Sequence, residues 1–339
     1  MAKGKAPEPL KHWQTWWSIG GPKLPDAEII PVPGLSLARL TEDQFQQSKN
    51  EFRQVLPRPQ IPNEEFVMHI PPKDEVHSRY RLQIDVMANG EEEAARIAQQ
   101  HVDRLLISLS LVIPDARYFA ELRKLRVLGE PGEMSAWSPS YTAFILGGTV
   151  PLDDDEIKRT FSVMGTLGKD ATAENSYVHL LSAWRLQETS GPKPLQRSIL
   201  QHYVLCIESV VSGFMTGIRK ADADKIRARE REFANEFAEG FTKRADKPRA
   251  IRDAMFELNK IGLTHIIPSI EHTADALGIS KSVRDDAIEL YKFRSKRLSH
   301  PGRPKEEDLE KWLGAKNSKL CLADTIARNF LDKYCEWRR

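Results

Sequence analysis

The chain has 339 residues, enough for two domains with buried cores. Its 50 basic and 48 acidic side chains leave a formal net charge of +2, so no overall basic field indicates nucleic acid, and any such binding must be local. The cysteines Cys206, Cys321 and Cys335 form no CxxC pair, and neither a long apolar run nor a signal-type N-terminus is present; we therefore expect a soluble cytoplasmic protein with no membrane contact.

Proline and turn-forming residues are frequent in roughly the first 60 positions. A strand-like stretch from Ala27 to Leu37 is interrupted by Pro31 and Pro33. Three tryptophans, Trp13, Trp16 and Trp17, lie ahead of it. Each buries a large apolar area when it packs, so we expect them to pack against the domain rather than to stack on bases.

Strand and helix patterns follow up to about residue 150. Glu65 to Ile70 and Tyr80 to Met87 are predicted strands, the second with partial apolar and polar alternation. Glu91 to about Leu109 is a predicted amphipathic helix, and Leu125 to Leu128 and Thr142 to Leu146 are further strand candidates. We therefore predict an α+β domain over residues 1–150, with a sensing or partner-binding role.

From residue 151 to 339 the pattern is helical throughout. Asp153-Asp-Asp-Glu156 is an acidic first turn, which favours a helix N-terminus. Helices are predicted at about 155–167, 172–189, 194–219, 222–242, 249–261, 265–277, 281–300, 305–314 and 318–336. This half is predicted to be an all-α domain. In the most apolar helix, which starts near Pro194, Glu208 lies at the edge of the apolar stripe.

The helix predicted over 281–300 carries the main candidate site. On a 3.6-residue period Arg294 lies in the middle of an apolar stripe formed by Ala287, Leu290, Tyr291 and Leu298. A guanidinium keeps its charge when buried, so an anionic partner should lie on that face.

The end of the same helix has the chemistry of a phosphodiester site. His300 precedes Pro301-Gly302, a pair that stops a helix. Arg294, Arg297 and His300 span an arc of roughly 120°. These side chains could place two fixed cations and one titratable imidazole around a phosphate. The alternative is purely structural: a buried Arg–Glu pair and a histidine that caps the C-terminus of the helix explain the same residues.

Other constellations are weaker. The Arg–His spacing recurs at Arg96/His101, predicted to be a solvated face, and at Arg197/His202, where the two side chains diverge on the helix. His202 and Cys206 have i,i+4 spacing without a further ligand nearby in sequence. No glycine-rich phosphate loop or GxSxG elbow occurs. We therefore expect neither a metal nor a cofactor.

The run Leu290-Tyr-Lys-Phe-Arg-Ser-Lys-Arg-Leu-Ser-His-Pro-Gly302 resembles the signature of HEPN domains, in which an Arg, a polar residue, three to five variable residues and a His end a core helix. The upstream run Tyr177-Val-His-Leu-Leu-Ser-Ala-Trp184, a Gly-Pro turn and Tyr203-Val-Leu-Cys-Ile-Glu208 resemble the paired helices that precede this motif. The resemblance covers roughly residues 155–335. It implies an all-α fold that forms a homodimer, with two copies of the motif facing each other.

The resemblance also implies residue roles. His300 would be the acid/base, Arg294 would hold the phosphate, Ser295 would be its polar neighbour and Glu208 its anionic partner. The neighbouring RNA contacts are predicted at Arg297, Lys296 and Tyr291.

The leading hypothesis is a metal-independent endoribonuclease of HEPN type that acts in stress response, as a toxin or in antiphage defence, with a regulatory protein partner among its expected contacts. The alternative is a non-catalytic helical dimer that binds RNA or a protein. A third hypothesis is that a separate nucleotidyltransferase modifies Tyr291 or Tyr334.

Overall fold

The computed structural model describes residues 10–47, 79–113, 118–129, 150–189, 195–218, 220–239, 247–260, 263–295 and 318–339. The chain divides into two compact units, residues 1–164 and 165–339. The first contains an antiparallel sheet and the second is helical where it is described. The protein is therefore a mixed α+β chain with a small N-terminal sheet and a mostly helical remainder.

The main sheet has five strands in the order β3-β4-β5-β1-β6, and all neighbours are antiparallel. Its members are β1 Lys11–Gly20, β3 Ile29–Val32, β4 Leu35–Arg39, β5 Tyr80–Ala88 and β6 Phe119–Val127. Two short strands, β2 Lys23–Leu24 and β7 Val150–Pro151, pair in parallel. Helix α1, Glu91–Val112, contacts β5, β1 and β6.

Strand β1 differs from the sequence prediction, which placed only turns and tryptophans there. Inward positions alternate along it: Thr15, Trp17 and Ile19 are buried, and Trp13 packs against the same core. Trp16 lies on the opposite face, and this third ring obscures the alternation in the sequence. The predicted packing therefore holds for Trp13 and Trp17, whose indole nitrogens donate to Ala88 O and Thr15 Oγ1.

The segment from Ala27 to Leu37, predicted as one interrupted strand, is a hairpin. Strands β3 and β4 flank a turn at which Gly34 adopts φ +82°, a conformation that favours glycine. The predicted strands at Tyr80 to Met87 and Leu125 to Leu128 correspond to β5 and to the end of β6. The predicted strands at Glu65 to Ile70 and Thr142 to Leu146 lie outside the described residues.

The helices of the remainder follow the predicted segments closely. They are α2 Asp154–Lys169, α3 Ala171–Thr189, α4 Gln196–Thr216, α5 Lys220–Glu239, α6 Lys247–Lys260, α7 Leu263–Ala276, α8 Lys281–Phe293 and α9 Ser318–Trp337. The predicted helix at 305–314 lies outside the described residues. The division between the units falls inside α2 because Leu152 and Met164 belong to the core of the first unit.

Helix α4 is the centre of the helical unit. It packs against α3, α7, α8 and α9 and buries ten residues, among them Tyr203 and Val204. Gly213 lets α3 approach closely, because a Cβ at this position would lie 2.1 Å from side-chain atoms of Thr172. Within the described part of the chain, α4 is also the one helix long and apolar enough to cross a membrane, but half of the apolar window is buried. Its place in the bundle accounts for its apolar composition.

Candidate functional site: the end of helix α8

Helix α8 is fixed by a cap at one end and by an apolar face along its length. The Ser280 hydroxyl accepts a hydrogen bond from the Val283 backbone N–H at 3.4 Å. Ala287, Leu290 and Tyr291 are buried on the face that the sequence predicted. These contacts set the rotation of the helix and therefore the direction in which Arg294 projects.

The helix predicted over 281–300 is described only as far as residue 295. Regular α-helix stops at Phe293, and residues 294–295 form a wider π-type turn. The Arg294 backbone N–H donates to Leu290 O and Tyr291 O, so Arg294 is still anchored to the last turn. Residues 296–300, including Lys296, Arg297 and His300, lie outside the described residues.

Arg294 meets an acidic partner from the central helix, as its place in the apolar stripe required. Its Nη1 donates to Glu208 Oε1 at 2.9 Å. The Arg294 side chain is 24% exposed and that of Glu208 is 20% exposed. The pair joins α8 to α4 across 86 residues of sequence, and both charged groups remain within reach of solvent.

The protonation of Glu208 reflects two opposing effects. Burial raises the pKa of this carboxyl group, and the Arg294 guanidinium acts in the opposite direction. The net result is that the pKa of Glu208 is raised above the usual glutamate value. Arg294 therefore compensates only part of the penalty for placing a carboxylate between α4 and α8.

A second polar contact lies close to the ion pair. The Ser295 and Tyr291 side chains are hydrogen-bonded, and both are buried, at 4% and 7% exposed. Burial raises the pKa of the Tyr291 hydroxyl, while the hydrogen bond with Ser295 acts in the opposite direction. In this conformation Tyr291 and Ser295 therefore present little surface to RNA.

The structure thus brings four of the seven predicted site residues together: Arg294, Glu208, Tyr291 and Ser295.

Burial also bears on the hypothesis that a nucleotidyltransferase modifies Tyr291 or Tyr334. Tyr334 is 2% exposed, and its hydroxyl donates to Asp170 at 3.2 Å. Neither of the tyrosines proposed as modification sites is accessible in this conformation.

The His202/Cys206 candidate includes one contact that the sequence did not indicate. His202 faces His179 of α3, with the two Nδ1 atoms 3.4 Å apart, while Cys206 is buried. Nothing in the spacing within either helix indicated this pair. Within the described ranges, no group of three or more His, Cys, Asp or Glu side chains is placed to hold a metal ion.

The comparisons with known proteins add no relative. No family model, no curated protein and no solved structure matches the chain.

Proposed function

We propose that the helical unit is a HEPN-type endoribonuclease that cleaves RNA without a metal ion. The observation that supports the proposal best is the placement of Arg294: a guanidinium at the end of a core helix, held by Glu208 and still partly exposed. A partly exposed, oriented guanidinium is suited to a phosphate oxygen.

The proposed chemistry is attack of an RNA 2′-hydroxyl on its own phosphodiester. The O2′–P bond forms, the P–O5′ bond breaks, one proton leaves O2′ and one proton is delivered to O5′. The products are a 2′,3′-cyclic phosphate and a 5′-hydroxyl. His300, six positions after Arg294, is the residue proposed to transfer these protons, since an imidazole titrates near neutral pH.

Arg294 is proposed to stabilise the negative charge that builds up on the phosphorane oxygens. Glu208 is a positioning residue in this scheme, because it contacts Arg294 and not the substrate. Lys296 and Arg297 are proposed RNA contacts adjacent to Arg294 in sequence.

A homodimer through the helical unit would supply two copies of His300, one as base and one as acid. The cellular role proposed with this activity is stress response, toxicity or antiphage defence in the cytoplasm. A regulatory partner is proposed because an unrestrained endoribonuclease would damage the RNA of its own cell.

One observation favours the second candidate, a non-catalytic dimer that binds RNA or protein. Glu208 and Arg294 pair within one chain, and a buried or half-buried Arg–Glu pair can be purely structural. In that case Arg294 would hold α8 to α4 and His300 would cap the helix.

Cleavage of a labelled RNA by the purified full chain separates the two candidates. We expect His300→Ala and Arg294→Ala to reduce the cleavage rate at least 100-fold and EDTA to leave it unchanged. The matched control is Arg96→Ala, which alters another Arg–His spacing at a side chain that is 62% exposed, and it should keep wild-type activity. Equal cleavage by wild type and His300→Ala would refute the proposal, and RNA binding without cleavage in the wild type would support the second candidate.

A further inference from the structure

Trp16 is the centre of a cationic cluster on the face of the sheet opposite the buried tryptophans. Arg81 Cζ, Lys124 Nζ and Arg126 Cζ lie 5.3, 5.3 and 5.2 Å from the centroid of its ring. The three cations come from the two strands that flank β1, since Arg81 is on β5 and the others are on β6. We call these four residues the Trp16 cluster.

The pairing of β1 with β6 explains why the cations gather there. Trp16 is opposite Lys124, and the register shifts by one residue between Trp16 and Trp17. Leu125 points into the core, while its neighbours Lys124 and Arg126 lie on the face of Trp16. Because alternate residues of a strand share one face, these two cations of β6 reach the same indole ring.

Among the described residues, no carboxylate lies within ion-pair distance of Arg81 or Arg126. Arg126 donates from Nε and Nη2 to Gln14 Oε1, at 3.0 and 2.6 Å, and Gln14 Nε2 donates in turn to Asp85 Oδ1 at 3.2 Å. The amide of Gln14 thus orients the Arg126 guanidinium on the sheet face.

Two further features of the cluster favour the binding of an anion. Burial, together with the charge of Arg126, lowers the pKa of Lys124, so the crowding of cations is unfavourable as it stands. The Trp16 Nε1–H is buried and has no hydrogen-bond partner in the described structure. An acceptor with negative charge would relieve the repulsion and satisfy this donor.

The geometry points to the phosphate backbone of a single-stranded nucleic acid as the ligand of the Trp16 cluster. Guanidinium, ammonium and indole N–H groups are all donors, and phosphate oxygens are all acceptors. A peptide laid across the sheet would bring its own N–H donors, for which the cluster offers no acceptor. Because the cations already lie against the indole ring, the ligand is recognised by its phosphates, and binding is independent of the bases.

This inference concerns the first unit and stands whether or not the helical unit cleaves RNA. The test therefore uses single-stranded 2′-O-methyl RNA, which lacks the free 2′-hydroxyl needed for cleavage. Fluorescence anisotropy of a labelled oligonucleotide with the full chain measures affinity across a series of salt concentrations.

We expect Arg81→Gln combined with Lys124→Gln to weaken binding at least 10-fold. The slope of log affinity against log salt should decrease by about 1.4, since each phosphate contact on a single strand contributes about 0.7. Oligo-A and oligo-U should bind within about threefold of each other. The matched control is Arg39→Gln on β4, whose guanidinium already contacts Asp26 at 3.5 Å, and it should bind as the wild type does.

Wild-type affinity and salt slope in the double variant would overturn the inference. Competition by poly-glutamate as strong as that by RNA would also overturn it, in favour of an acidic peptide. The single variant Lys124→Gln, expected to show half of the change in slope, provides a second test if the double variant unfolds at a lower temperature than the wild type.

Discussion

The Glu208–Arg294 pair should couple the stability of α4 to that of α8, and a double-mutant cycle measures this coupling directly. The variants are Glu208→Gln, Arg294→Met and the combination, each unfolded in urea at pH 7. Arg294→Met leaves a half-buried carboxylate without its guanidinium, so this variant should lose about 2–4 kcal/mol of unfolding free energy.

The magnitude of the coupling follows from distance and burial. At an N–O distance of 2.9 Å, the attraction between unit charges is about 1.4 kcal/mol in water and about 6 kcal/mol at an effective dielectric constant of about 20. The cost of removing the Glu208 carboxylate from water, which also raises its pKa, offsets much of the attraction at the lower dielectric constant. We therefore expect a coupling free energy of about 1–3 kcal/mol.

A second cycle on the same helix isolates the effect of burial. Arg284 Nη1 lies 2.9 Å from Asp275 Oδ1, the same distance, but the Asp275 side chain is 65% exposed. Exposed pairs contribute about 0.2–1 kcal/mol, so this coupling should be the smaller one. Equal coupling in the two cycles, or less than about 0.5 kcal/mol for Glu208–Arg294, would refute the reasoning.

The pH dependence of the same variants provides a check on sign. Because the folded-state pKa of Glu208 is raised, the native state binds more protons than the unfolded state above about pH 4.3, the ordinary glutamate pKa. This carboxyl group therefore makes the wild type lose stability as the pH rises through that window. Glu208→Gln should remove this slope, and an unchanged slope would contradict the assignment.

Three further predictions concern packing, titration and thiol reactivity. Gly213→Ala should destabilise the chain by about 1–3 kcal/mol because the added Cβ would meet Thr172. Gly165→Ala should stabilise α2 by about 0.5–1 kcal/mol, because nothing lies within 4 Å of the added Cβ. Urea unfolding that ranks the two variants in the opposite order would contradict the close contact between α3 and α4. Burial lowers the pKa of His179 and His202, so their contribution to stability is present above about pH 6.5 and is lost as the pH falls. His202→Gln should flatten the fall in melting temperature below that pH, and an unchanged fall would contradict the burial of this pair. Cys321 is exposed, whereas burial raises the pKa of Cys335 to about 12 and also raises the pKa of Cys206. A maleimide should therefore label one thiol per native chain. Rapid labelling of the Cys321→Ser variant would contradict the burial of the other two thiols.

Most of the helices after residue 150 could be predicted because their signals are local. An acidic turn at Asp153-Asp-Asp-Glu156 starts α2, where Glu156 N donates to Asp153 Oδ1 and Asp153 N donates to Glu156 Oε2. The apolar stripe of α8 predicted both its buried face and the need for an anion near Arg294. Glu208 as that anion came from the family resemblance, since no local pattern joins two helices so far apart in sequence.

The sheet was less predictable because its order depends on long-range pairing. The sequence predicted no strand at β1, since Trp16 interrupts the alternation of Thr15, Trp17 and Ile19. Arg81 and Lys124 approach Trp16 only after β5 and β6 pair with β1. The Trp16 cluster could therefore not be found by scanning the sequence for basic runs.

The most direct test of the central proposal, RNA cleavage through the 2′-hydroxyl, is the chemistry of the RNA ends. Purified wild type and His300→Ala are incubated with an RNA of defined sequence, and the fragments are analysed by mass spectrometry. The proposal predicts 2′,3′-cyclic phosphate and 5′-hydroxyl ends with the wild type, and intact RNA with His300→Ala. Fragments with 3′-hydroxyl and 5′-phosphate ends, or the same fragments from both proteins, would contradict it.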